Sequence, residues 1–129
     1  MVKVSPSGLL VALGVPMDVQ QELSPEEVAE LNAFLELMVP MGARRSGQFL
    51  EQQMSEYDAT QIRKIQAPTL VMHAPDDTLV SIEQGAFSAG EIPGAQFITM
   101  EKGGHLALML DSSAGARGTL REFLGQYNR

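Results

Sequence analysis

No stretch of this 129-residue chain constrains its fold more than Pro68-Thr69-Leu70-Val71-Met72-His73-Ala74-Pro75-Asp76-Asp77. Ala67-Pro68 halts any preceding helix. Leu70, Val71 and Met72 then form the continuous apolar run of a strand covered on both faces. The expected strand runs from Thr69 to Ala74 and delivers acidic residues just past its carboxyl end. A second expected strand, Ala95 to Met100, is followed by Gly103-Gly104-His105. Between the two, Ser81 and Gln84 have the spacing of a capping box that opens a helix reaching Gly90. Ile92-Pro93-Gly94 reads as a turn. Ser112 or Ser113 starts a last helix, with Leu120, Phe123, Leu124 and Tyr127 turned inward. The order strand, helix, strand, helix is a crossover unit of a parallel α/β sheet.

The text before Tyr57 is different, reading as helices and turns. Ser24-Pro25-Glu26-Glu27 is a helix start: Ser24 caps, Pro25 suits the first helical position and Glu27 completes a capping box. Val28, Leu31, Leu35 and Met38 recur at helical spacing and form one apolar stripe. Pro40 and Gly42 end that helix. A second helix is expected from Arg44 to Ser55, with Phe49, Leu50 and Met54 on its apolar side. Asp58 caps a short turn to Ile62. The expected division is therefore a helical segment over 1–57 and an α/β portion over 58–129.

In open α/β sheets, ligands sit beyond the carboxyl ends of the strands. Asp77 and His105 both fall there, one helix plus one strand apart, so adjacent parallel strands bring them together. The chemistry asks for these residue types. A histidine takes a proton from a hydroxyl and returns it to a leaving group. A carboxylate on its other ring nitrogen fixes the tautomer and stabilises the imidazolium. Gly103-Gly104 lets the backbone turn sharply and present the ring. The competing readings are a turn cap for Asp77 and a backbone-bonded loop histidine for His105. The pairing of the two at one sheet edge favours the acid–base role. Asp76 reads as a solvated turn residue and His73 as a structural residue at the strand end.

At these residues the chain resembles the α/β-hydrolase superfamily. Ile65 to Val80 is similar to that family's acid-bearing strand and loop, and Ile92-Pro93-Gly94-Ala95 with Gly103-Gly104-His105 to its next strand and histidine loop. The family motif Gly-x-x-Asp-x-x-Val-Pro reads Ala74-Pro75-Asp76-Asp77-Thr78-Leu79-Val80-Ser81, with Ala74 for Gly and Ser81 for Pro. The resemblance implies a partial doubly wound parallel sheet preceded by a helical cap over 1–57, with Asp77 as the triad acid and His105 as the base. The implied substrate is an ester or a similar small carbonyl compound, and no cofactor is implied. The family carries its serine before the acid on a Gly-x-Ser-x-Gly turn. No such frame precedes Asp77. Ala86-Phe87-Ser88-Ala89-Gly90 imitates it but follows the acid and lies in an expected helix. The chain thus resembles the C-terminal half of a hydrolase that lacks its nucleophile. The alternative is a non-catalytic truncated domain acting in binding or self-assembly.

Composition narrows the partners. Nine Lys and Arg against sixteen Asp and Glu give a net charge of −7, which argues against nucleic acid and against an anionic membrane surface. The small basic clusters Arg44-Arg45 and Arg63-Lys64 read as solvated faces. There is no cysteine, hence no disulfide, thiolate metal site or thiol nucleophile, and two histidines without metal-ligand spacing point to no metal. The apolar run Leu9 to Val15 is too short to span a bilayer. Gly14, Pro16 and Asp18 at its end lack a signal-peptide cleavage pattern. A cytoplasmic location is the expectation. A two-strand sheet leaves edges unpaired, so the chain is expected to self-associate as a symmetric dimer or to dock onto a missing N-terminal half.

Overall fold

The computed structural model describes residues 5–38, 58–110 and 113–127. The chain opens with three helices: α1 (Pro6–Ala12), α2 (Met17–Glu22) and α3 (Pro25–Met38). The start of α3 follows its residues closely. The Ser24 backbone N–H donates to Glu27 Oε2 at 2.9 Å, and the Glu27 N–H donates to Ser24 Oγ at 3.2 Å. This reciprocal box satisfies two amides that no helical carbonyl can reach. Ser24→Ala is expected to cost about 1 kcal/mol, read as a lower urea midpoint with an unchanged m-value. Leu31 and Leu35 are buried and Met38 is half-buried, as the stripe requires. Val28 departs from it and is 40% exposed. It borders an open hollow of about 410 Å³ that also touches Leu10, Met17 and Leu23. The expected helix over 44–55, with Pro40, Gly42 and Tyr57, lies outside the described residues.

The second part begins with a 3-10 turn, Ala59–Lys64, whose first amides are capped by Asp58 through a 3.0 Å bond from the Thr60 N–H. Arg63 on this turn pairs with Glu91 while its side chain stays 61% exposed, in keeping with a solvated face. Strand β1 (Leu70–His73), helix α4 (Ile82–Glu91) and strand β2 (Gln96–Thr99) follow. The strands are parallel neighbours, in the register Leu70 with Gln96 through His73 with Thr99. Helix α4 packs on both. A 3-10 helix, Gly104–Met109, replaces the expected irregular loop after β2, and α5 (Ala114–Tyr127) closes the described chain. The result is a partial α/β sheet with a helical segment ahead of it.

Three expectations are corrected. The Ser81 side chain does not cap α4; the Gln84 N–H that a capping box would use donates to the Ser81 backbone carbonyl at 3.0 Å instead. Strand β1 is half-buried along its whole length, not fully covered. Helix α5 buries no residue: Leu120 and Phe123 are half-buried, and Leu124 and Tyr127 are 55% and 52% exposed. The last two share one cause. A sheet of two strands is too narrow to cover an amphipathic helix or to be covered by neighbours. Phe123 and Tyr127 pack on each other, one helical turn apart, with ring centroids separated by 5.1 Å.

A cluster of buried apolar residues lies under the histidine loop. Leu10, Val15, Val19, Leu31 and Leu35 cluster with Leu110, and Leu106 packs against them. The N-terminal helices and the 3-10 helix after β2 therefore share one apolar interior.

Candidate active site

Parallel pairing of β1 and β2 sends both carboxyl ends to the same rim of the sheet. After β1 the chain makes a turn closed by the Asp77 N–H on the Ala74 carbonyl at 3.4 Å. That turn aims the Asp77 carboxylate across the strand ends. Its Oδ1 accepts the Leu79 N–H at 2.8 Å and the Val80 N–H at 3.0 Å. Its Oδ2 accepts from His105 Nδ1 at 2.9 Å. The Asp77 side chain is 6% exposed and the His105 side chain 39%. The structure thus joins the two residues that the sequence singled out. Asp77 also fulfils the competing reading, because Oδ1 caps the turn while Oδ2 holds the ring.

Burial alone would push the Asp77 carboxyl up. The Val80 amide, the His105 ring, the Leu79 amide and the attraction of His105 outweigh it, so its pKa lies below the ordinary carboxylate value. A carboxyl depressed in the folded state stabilises the fold above the unfolded-state pKa, and that contribution is lost as the pH falls through the folded value. The urea midpoint is therefore expected to drop as the pH falls below about 4. Asp77→Asn is expected to flatten that dependence, which a urea titration of both chains across this range checks.

With Nδ1 committed to Asp77, the imidazole offers Nε2, on the far edge of the ring, for proton exchange. The ring's partial exposure leaves room for a reacting group. A second histidine borders the same carboxylate. His73 Nδ1 donates to the Ala74 carbonyl at 2.9 Å, and its Nε2 stands 3.9 Å from Asp77 Oδ2. The bare Cα of buried Gly85 lets α4 lie against this ring: a Cβ there would stand 2.7 Å from His73 Cδ2.

Two supports escaped the reading of the sequence. Asp76 is not a solvated turn residue; its carboxylate accepts the Gly103 and Gly104 amides. The Gly14 carbonyl, in the turn between α1 and α2, accepts the His105 N–H at 3.0 Å. The paired glycines signalled the first, since consecutive backbone amides free to face one way make an anion cradle. Nothing local marks Gly14 as a neighbour of His105. Ser88 lies inside α4 with its hydroxyl on the Gln84 carbonyl at 3.0 Å, so the Ala86-to-Gly90 imitation of a nucleophile turn is helix.

The chain is similar to solved α/β hydrolases. One is an α/β hydrolase fold protein from Nakamurella multipartita, 27% identical, with a TM-score of 0.69 over 92% of this chain and 46% of that one. Another is a serine hydrolase involved in carbazole degradation (the CarC enzyme), 24% identical, with a TM-score of 0.65 over 95% of this chain and 48% of that one. The chain spans about half the length of each. No protein-family model and no curated protein matches it.

Proposed function

We propose, for a chain that belongs by its fold to the α/β-hydrolase superfamily and spans about half of such a domain, that it is the C-terminal, acid-and-histidine portion of a serine hydrolase. The observation that supports this reading is the 2.9 Å bond between His105 Nδ1 and Asp77 Oδ2, held by two further amides at the sheet rim. In the assembled enzyme, His105 Nε2 takes the proton of a serine hydroxyl as its oxygen attacks the substrate carbonyl. It returns that proton to the departing alkoxide, and a water then releases the acyl group by the same steps. Asp77 keeps the accepting tautomer and stabilises the imidazolium. The serine comes from outside these 129 residues. The substrate class is a small ester or similar carbonyl compound, the segment over 1–57 serves as the cap that shapes its pocket, and the chemistry calls for no cofactor or metal.

Among the described residues no helix is long and apolar enough to cross a membrane, and the lack of cysteine suits a reducing cytoplasm. The partner is the half of the sheet that carries the serine. A second reading, a non-catalytic domain acting in binding or self-assembly, is favoured by the exposed apolar side of α5 at Leu124 and Tyr127.

A chromogenic ester tests both. The purified chain alone is expected to give negligible turnover, because nucleophile and oxyanion donors supply much of the rate enhancement. Addition of an upstream polypeptide carrying a Gly-x-Ser-x-Gly turn is expected to produce turnover that His105→Ala abolishes. Turnover indifferent to His105→Ala would remove the acid–base pair from the mechanism. His105-dependent turnover by the isolated chain would move the nucleophile into these residues and end the half-enzyme reading. Failure of any such polypeptide to restore activity, together with concentration-dependent sedimentation, would favour the assembly reading.

A further inference from the structure

Asp76 and Asp77 are adjacent carboxylates with separate work. Asp77 meets the His105 ring; Asp76 meets the backbone on which that ring stands. The Gly103 N–H lies 3.2 Å from Asp76 Oδ1 and 3.0 Å from Oδ2, and the Gly104 N–H lies 3.2 Å from Oδ1. Both glycines have positive φ, 149° and 61°, so their amides turn toward the same acceptor. Side chains are barred from both positions. A Cβ on Gly103 would stand 2.7 Å from Ala107 Cβ, and one on Gly104 would overlap the Gly14 carbonyl oxygen. The next amide, that of His105, is committed to that same carbonyl. Three successive N–H groups therefore have fixed acceptors, and none is left to drift.

We infer that Asp76 is a positioning residue: by occupying the Gly103-Gly104 cradle it sets where the His105 ring stands relative to Asp77. The inference rests on the acid–base reading of Asp77 and His105. The physical reason is closure. The path from the Asp77 carboxylate to the His105 ring, along the backbone to Gly104, across to the Asp76 carboxylate and back through one peptide to Asp77 is a closed ring of short links. Each acid constrains one of the two coordinates that fix the imidazole, its support and its edge. Charge-assisted bonds from a carboxylate to backbone amides are stronger than neutral ones, so the cradle holds the loop more firmly than the glycines alone allow.

Proton NMR of the intact chain tests this. The His105 Nδ1 proton shared with Asp77 is expected far downfield in the parent and absent in Asp77→Asn. In Asp76→Ala that resonance is expected to be lost while helical circular dichroism is retained. Asp76→Asn keeps one acceptor oxygen but no charge, and carries the test if the alanine variant does not fold. There the Gly103 and Gly104 amides should exchange about tenfold faster, and the Nδ1 proton should broaden and move upfield. A purely structural role would raise amide exchange without moving that proton. An Asp76→Asn chain whose Nδ1 proton matches the parent in position and width would overturn the inference and leave the acid–base pair standing. A parent chain without an Asp77-dependent downfield proton would overturn both.

Discussion

Gly104→Ala is expected to destabilise the chain by about 2–4 kcal/mol, read as a lower urea midpoint. Two costs add. The residue sits at φ 61°, a left-handed conformation that a Cβ penalises. The new methyl would also run into the Gly14 carbonyl oxygen and stand 2.9 Å from Val15 Cα, backbone atoms that cannot swing aside. Relief requires the turn after α1 to retreat. That retreat breaks the 3.0 Å bond from the His105 N–H to Gly14 and opens the core beneath. The contrast is with Gly90 in α4 and Gly118 in α5, where a Cβ meets nothing within 4 Å. Alanine at either position is expected to stabilise by about 0.5–1 kcal/mol, since glycine only weakens a helix. If Gly104→Ala unfolds at the parent's urea concentration, the close approach of the histidine loop to the N-terminal turn is not what holds this region.

Asp77→Asn is expected to lower kcat by about ten-thousand-fold in the enzyme assembled with a serine-bearing upstream half. The amide differs little in shape from the carboxylate, yet it can donate where the acid only accepts. His105 Nδ1 then accepts from the asparagine, the ring proton moves to Nε2, and the atom needed as base is already protonated. The imidazolium formed during attack also loses the anion 2.9 Å away. His105→Ala should fall as far, and the double variant no further, because the pair acts as one unit. Near-parental kcat in Asp77→Asn would mean that the acid is a turn cap and nothing more. Circular dichroism of the variant separates this from unfolding, since Oδ1 also accepts the Leu79 and Val80 amides.

How far the residues alone foretell the structure depends on the distance over which a feature acts. The capping box at Ser24 formed because everything it needs lies within one helical turn. The box at Ser81 did not, because the Gln84 amide it needs is taken by the Ser81 backbone carbonyl. The strand order and the contact of Asp77 with His105 were legible from apolar runs ending in an acid and in Gly-Gly-His. The parallel crossover leaves those two ends no other place to go. The reading of Asp76 failed for the opposite reason. A carboxylate at a strand end has the same local signature whether it faces water or a loop 27 residues away.

By itself the sequence determined the strand-helix-strand-helix order after residue 68, the parallel pairing and the meeting of positions 77 and 105, because hydrophobic period, turn residues and chain connectivity are local quantities. Only the tertiary structure decided that Gly14 would brace the histidine, that Asp76 would fill a glycine cradle and that α5 would keep Leu124 and Tyr127 in solvent. Those outcomes depend on which surfaces meet and how much sheet exists to cover them, and no window along the chain contains that information.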